Sequence, residues 1–302
     1  MSCEVTVLAD SVAPNGSRLI TFECVYPARI HWDVMTHRMF SRNAMSTRAI
    51  PWLKMREWIV GNPYIPIHWG ANRKGMAPGA GLSGWRSRLA RWAWLGAMRA
   101  AVLAAGLMHR CGCHKSLVNA VVIPWMHMRV VITSGEDGLC NWWHLRLHHA
   151  AAPEIQQLAK RMAEAANAST PRKLPGGEWH LPYITDAERA VRPDNDLVIM
   201  SAARCARVTF TTFEGKPPDF EGDVATYAKL VGEDPKHATP TEHQAQAYSA
   251  DVRSLLSGNL PVGWTQARKM LPGERATKDT FDLAARLALY GENDYLLSEP
   301  AR

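Results

Sequence analysis

The sequence predicts an α+β fold on three observations. Two strand-like runs, residues 5–8 and 18–26, flank a Pro14-Asn15-Gly16 turn near the start of the chain. Between Ala90 and Leu107 small and apolar residues are almost unbroken, far beyond the length of an ordinary strand. Residues 153–168 repeat Ile155, Leu158, Ala159 and Met162 at helical spacing, after a proline suited to a first helical turn.

Pro27 closes the second strand, and the polar stretch DVMTHRMFSRNAMSTRAIP, residues 33–51, follows at once. Polar groups at the end of a strand, backed by a sheet, are well placed for a site. His37, Arg38, Ser41, Arg42, Asn43, Ser46 and Arg48 offer the guanidinium forks, hydroxyls and amide that hold phosphate and base edges. A helical start to this stretch puts Arg38 and Arg42 on one face. Residues 62–84 are rich in Gly and Pro and form a long connection, suited to a lid, a subunit contact or a plain surface loop.

Residues 86–109 read as a helix buried on much of its circumference and ending at Arg110-Cys111-Gly112. The β-branched runs 118–123 and 129–133 read as strands separated by Pro124-Trp125. In NWWHLRLHH, residues 141–149, a helix puts Asn141 with Leu145 on one face and Trp142 with Arg146 on the next. It is expected to bury Trp142, Trp143 and Leu145. The turn-rich residues 169–186 read as a linker between an N-terminal unit, 1–168, and a smaller C-terminal unit, 187–302. The second unit holds a strand or buried segment at 197–213, a helix near 223–230, the segment HATPTEHQAQAY at 237–248, and a helix at 279–290.

With 302 residues, 47% hydrophobic and 21% charged, the chain has the composition of a soluble globular protein with a sizeable core. Its formal net charge of +7 is a modest excess, which a site for phosphorylated small molecules explains as well as a polyanion partner does. No basic-then-apolar leader opens the sequence, and the apolar stretch 97–108 is too short to span a bilayer, so a cytoplasmic location is expected. Cys111 and Cys113 cluster beside His114, but no second cysteine pair completes a zinc set, and no metal is expected.

His37-Arg38, seven further residues, Ser46 and then Arg48 resemble the signature of the flavin-dependent thymidylate synthases. Other segments are similar to pieces of the same family: His114-Lys115 with Asn119 and Pro124-Trp125; Thr133, Glu136 and Asn141 through Arg146; then Ala151, Glu154 and Ile155. Cys205-Ala206-Arg207-Val208, His237-Ala238-Thr239-Pro240 and Glu242-His243 resemble the family's N-terminal half. Here they follow the signature, so the resemblance implies a permuted segment order, as in a subgroup common in phages. A permutation is tolerable where the old termini lie close together at the surface.

The resemblance further implies the family's mixed sheet packed with long helices and a homotetramer with sites shared between subunits. FAD is the implied cofactor, with methylene-tetrahydrofolate and NADPH as co-substrates. The implied reaction carries a one-carbon group to carbon 5 of dUMP, with no nucleic-acid partner, in the host cytoplasm if the chain is phage-encoded. By the same resemblance Arg146, Arg38 and Ser46 are catalytic, and together with Arg48 they hold the nucleotide. His37, Asn141, His237, Thr239, Glu242 and His243 would contact or position flavin or folate. Four positions depart from the pattern. Thr36 and Ala120 stand where the family has arginines, the second of which binds phosphate, and Ala44 and Ile123 stand where it has acidic residues. His114, Lys115, Arg110 and Arg129 are candidates to replace the missing phosphate contact. The departures leave open a dCMP substrate, a hydroxymethyl product, or a catalytically reduced nucleotide- or flavin-binding accessory protein.

Overall fold

A tight hairpin opens the fold. Gly16 takes φ +85°, a conformation that costs glycine little, and Ala13 N donates to Ser17 O at 2.9 Å. The flanking runs pair antiparallel as β1 (Glu4–Val12) and β2 (Arg18–Pro27). The computed structural model describes residues 3–75, 78–208, 218–233 and 235–285. β2 pairs along its length with β4 (His127–Gly135), and β4 takes β3 (Ser41–Ala44) on its other side. β5 (Arg172–Lys173) adds to β1 in parallel, which gives a mixed sheet of order β3-β4-β2-β1-β5. A second, antiparallel sheet is ordered β6 (Trp179–His180), β7 (Ala245–Ala247), β8 (Trp264–Gln266). Residues 169–186 therefore contribute a strand to each sheet.

The helices are α1 (His31–Met35), α2 (Trp52–Gly61), α3 (Gly84–Arg110), α4 (Lys115–Ala120), α5 (Glu136–Arg146), α6 (Pro153–Ala168), α7 (Asp186–Val191), α8 (Asp194–Arg207), α9 (Phe220–Val231) and α10 (Ala267–Met270). α6 buries its Ile155, Leu158, Ala159 and Met162 stripe in the main core, packed on β1 and β2. This is an α+β fold.

Several local expectations give way. Residues 118–123 form the end of α4 and a 3-10 turn, Ile123–Trp125, and not a strand. The His114 ring accepts from Ser116 N and caps α4, and this local bond outweighs a short β-branched run. α1 stops at Met35 and Arg42 lies in β3, so Arg38 and Arg42 share no helical face. α3 forms as expected, yet only Met98 and Ala105 are buried in it. One stripe packs inward, with Trp94 Nε1 donating to Tyr64 O at 2.8 Å, while Trp85, Leu89, Trp92, Leu103 and Leu107 face outward. In α5 only Trp142 of the three expected side chains is buried. The segment read at 197–213 is helix α8 up to Arg207, and its residues 209–213 lie outside the described residues. Of the helix expected at 279–290, residues 279–282 are turn and irregular chain, 283–285 are helical, and the rest lie outside the described residues.

A buried polar chain ties the two sheets together. Ser11 Oγ meets His180 Nδ1 at 2.9 Å, and His180 Nε2 meets Thr21 Oγ1 at 2.8 Å. Thr21 Oγ1 meets Thr133 Oγ1 at 2.6 Å, and Thr133 Oγ1 meets His243 Nδ1 at 2.8 Å. Burial pushes both imidazoles down to about 3, so they are neutral. Among the described residues no helix is long and apolar enough to cross a membrane.

Candidate active site

The polar stretch after β2 is folded back on itself by one of its own arginines. Arg42 Nη1 donates to the carbonyls of Met35 at 2.5 Å, His37 at 2.9 Å and Val34 at 3.3 Å, at the end of α1 and in the turn after it. One terminal nitrogen of this guanidinium is thereby taken up by the turn. Beyond it, Asn43 Nδ2 donates to Cys205 O at 2.8 Å and ties β3 to the end of α8. The C-terminal segment crosses beside them as a 3-10 turn, Thr239–Glu242, held by Gln266 Nε2 on Glu242 O at 3.1 Å. Between these elements opens a cleft of about 520 Å³, within the range of small-molecule sites. Ser46, Lys54, Arg129, Arg207, His237 and Thr239 line it.

The charges of the cleft are partly neutralised. Arg129 donates to Glu23 at 2.8 Å and Arg207 to Asp223 at 2.5 Å. The Lys54 ammonium lies 5.4 Å from the centre of the Trp58 ring. Arg207 Nε is buried without a hydrogen-bond partner.

A second cluster forms where the turn after α1 meets α5. Gly138 permits this approach, since a Cβ there would stand 2.2 Å from Ser134 Oγ and 3.3 Å from Met39 Cβ. His37 is enclosed, with its ring centre 4.2 Å from that of Phe40 and 5.4 Å from that of Trp142. Its Nε2 donates to Gly138 O at 3.0 Å, and burial lowers its pKa. Arg146 extends over Trp142 and donates to Asp33 O and Thr36 Oγ1, each at 3.3 Å, while its Nε is buried without a partner. Asn141 Nδ2 lies 3.7 Å from Met39 Sδ.

The residues singled out by sequence thus fall into groups. Ser46, His237 and Thr239 come together at the cleft, and His37, Asn141 and Arg146 at the second cluster. Arg38 and Arg48 are exposed and do not line the cleft. Glu242 is held by Arg268 at 2.5 Å, and His243 is buried on Thr133. Of the departures, Thr36 has become a partner of Arg146, and Ala44 lines the cleft. Ala120 is exposed at the end of α4, which docks through Asn119 Nδ2 on Thr47 O at 2.8 Å and Ile50 O at 2.9 Å.

Sequence reasoning gave no site role to Lys54 or Arg207. Lys54 belongs to no motif, and only its four-residue spacing from Trp58 on α2 hinted at a shared face. Arg207 stood inside a recognised segment, but its place beside Ser46 depends on the Asn43 tether between β3 and α8.

The family model for the thymidylate synthase complementing protein matches residues 18–172, just over half of the chain, from β2 to β5. A comparison with curated proteins finds no match.

Proposed function

The chain belongs to the thymidylate synthase complementing protein family, and on that premise we propose that it is a flavin-dependent thymidylate synthase. It converts dUMP, methylene-tetrahydrofolate, NADPH and a proton to dTMP, tetrahydrofolate and NADP+. The observation that carries this reading is the cleft where Ser46 of the signature meets His237 and Thr239. Those two residues lie beyond the matched stretch, in a segment resembling the family's N-terminal half. Their return to Ser46 supports the permuted order.

The cleft is the nucleotide site in this proposal. The Ser46 and Thr239 hydroxyls suit phosphate and sugar oxygens, and the Lys54 ammonium offsets part of the charge of a monophosphate. Ser46 binds and is not a nucleophile. The second cluster fits FAD through Asn141, which is exposed on α5 and whose amide, among the described residues, meets only the weak thioether acceptor of Met39 at 3.7 Å, beside the enclosed His37 ring. When bound, FAD supplies the reducing equivalents taken from NADPH. Arg146 stabilises the negative charge that develops on the pyrimidine carbonyls, and Arg38 and Arg48 complete the nucleotide contacts. His37, enclosed against Trp142, holds the turn in place, and Glu242 and His243 hold the 3-10 turn that carries Thr239.

The cluster and the cleft are drawn together by assembly, as a homotetramer with shared sites. The outward apolar face of α3 supports that assembly, because Trp85, Trp92 and Leu103 are 66%, 69% and 75% exposed in the single chain.

The test is dTMP formation by the purified protein from dUMP, methylene-tetrahydrofolate and NADPH with FAD added. Ser46→Ala should weaken dUMP binding by about 1.5–3 kcal/mol, the worth of one hydrogen bond to a charged group. A second reading, a nucleotide-binding accessory protein, is favoured by the engagement of Arg146 with Thr36 and Asp33. It predicts dUMP binding with no dTMP at any flavin concentration.

A further inference from the structure

The arginine expected to hold the nucleotide phosphate is absent at Ala120, which is exposed at the end of α4 and does not line the cleft. Of the sequence candidates to replace it, Arg129 lines the cleft but is committed to Glu23 at 2.8 Å. Arg110, His114 and Lys115 do not line it.

Arg207 does. Its side chain is only 9% exposed, and one terminal nitrogen donates to Asp223 Oδ1 at 2.5 Å. Its Nε–H is buried with no partner. A buried donor left unpaired destabilises a fold unless a ligand accepts from it. Asp223 does not claim the whole guanidinium, because its other oxygen accepts from Arg204 at 3.0 Å, and Arg204 is itself paired with Glu188 at 2.6 Å. The two arginines and two carboxylates balance, so a ligand anion meets a donor that is not strongly opposed by the local field.

The backbone fixes where that donor stands. The next residue, Val208, ends α8 at φ 56°, ψ 38°, a left-handed conformation that a β-branched residue rarely adopts. Burial of its side chain in a cluster with Val131, Tyr183 and Cys205, with Met45 packed against it, offsets the cost. Met45 precedes Ser46, and the Asn43–Cys205 bond fastens β3 to the same helix end. Ser46 and Arg207 are therefore delivered to one cleft by two elements locked to each other.

We propose that Arg207 binds the phosphate of the pyrimidine deoxynucleotide, with its Nε–H donating to a phosphate oxygen beside the Ser46 hydroxyl. It thereby takes over the contact that Ala120 cannot make. The assignment rests on the nucleotide-site reading of the cleft, and it makes Arg207 the residue that separates the monophosphate from the bare nucleoside.

Calorimetric titration of dUMP and of deoxyuridine into the full chain, its Arg207→Gln variant and its Arg207→Lys variant tests it, with thermal melting to confirm folding. The wild type should prefer dUMP, and Arg207→Gln should lose roughly ten- to a hundred-fold in dUMP affinity while deoxyuridine affinity holds. Arg207→Lys, which keeps a charge for Asp223 but loses the planar fork, should fall between them. It carries the test if the glutamine variant melts too low. Parallel loss for both ligands, or no loss for either, overturns the assignment and leaves Arg207 a structural residue. A wild type that binds deoxyuridine as well as dUMP removes this assignment alone. A wild type that binds neither removes the nucleotide-site reading together with it.

Discussion

Arg42 and Arg146 divide the work that a cluster of arginines offers. Arg42 gives one terminal nitrogen to three carbonyls at and just past the end of α1, where the helix dipole favours a cation. Arg146 makes two long contacts and keeps a buried N–H unpaired, so it retains capacity for a ligand. In the sequence the two look alike, because residue type reports the donors and not the acceptors already within reach. The same limit hid the enclosure of His37 and His243, whose burial follows from Gly138 and from the pairing of β2 with β4. Arg146→Ala should lower turnover by ten-fold or more, on the order of 1.4 kcal/mol in transition-state stabilisation, with flavin affinity changed less. Parallel rate measurements and flavin titrations check this, and equal losses in both would mark Arg146 as a cofactor-binding residue only.

At the scale of elements, strong periodicity and turn chemistry were legible: β1, β2, β4 and α6 follow from alternation, Pro14-Asn15-Gly16 and the Ile155–Met162 stripe. α4 was not, since its start is set by a capping histidine that β-propensity overlooks. α3 was legible as a helix but not in its burial. Its apolar residues ring the whole circumference, and one chain supplies cover for only one stripe. A 27-residue helix of about 40 Å offers a long outward face. Light scattering should give a mass near four times the 33.6 kDa chain mass, and Leu103→Asp should shift it downward without unfolding the protein. A monomer mass for the wild type would contradict the shared-site assembly.

Across the whole molecule, the two sheets and the helices between them are joined by buried polar groups that titrate. His31, His37, His127, His180 and His243 all have pKa values lowered chiefly by burial, to about 3 for the last two. In the unfolded chain each titrates near 6.5. Below that pH the unfolded state takes up protons that the folded state refuses, so stability falls as pH falls from about 6.5 toward the folded values. Urea midpoints should hold steady above pH 7 and drop between pH 6.5 and 5, and His180→Gln should flatten that drop. Midpoints that stay level across this window would show that the imidazoles are not held neutral.

The family signature could be read from residues 33–51, but the candidate cleft could not, because it exists only once Asn43 ties β3 to α8 and the 3-10 turn of Thr239 crosses beside it. The measurement that tests the central claim most directly is dTMP formation from dUMP, methylene-tetrahydrofolate and NADPH, run with and without FAD. A flavin-dependent thymidylate synthase makes dTMP only when FAD is present. Formation of dTMP at the same rate without flavin, or none from protein that binds both FAD and dUMP, would contradict it.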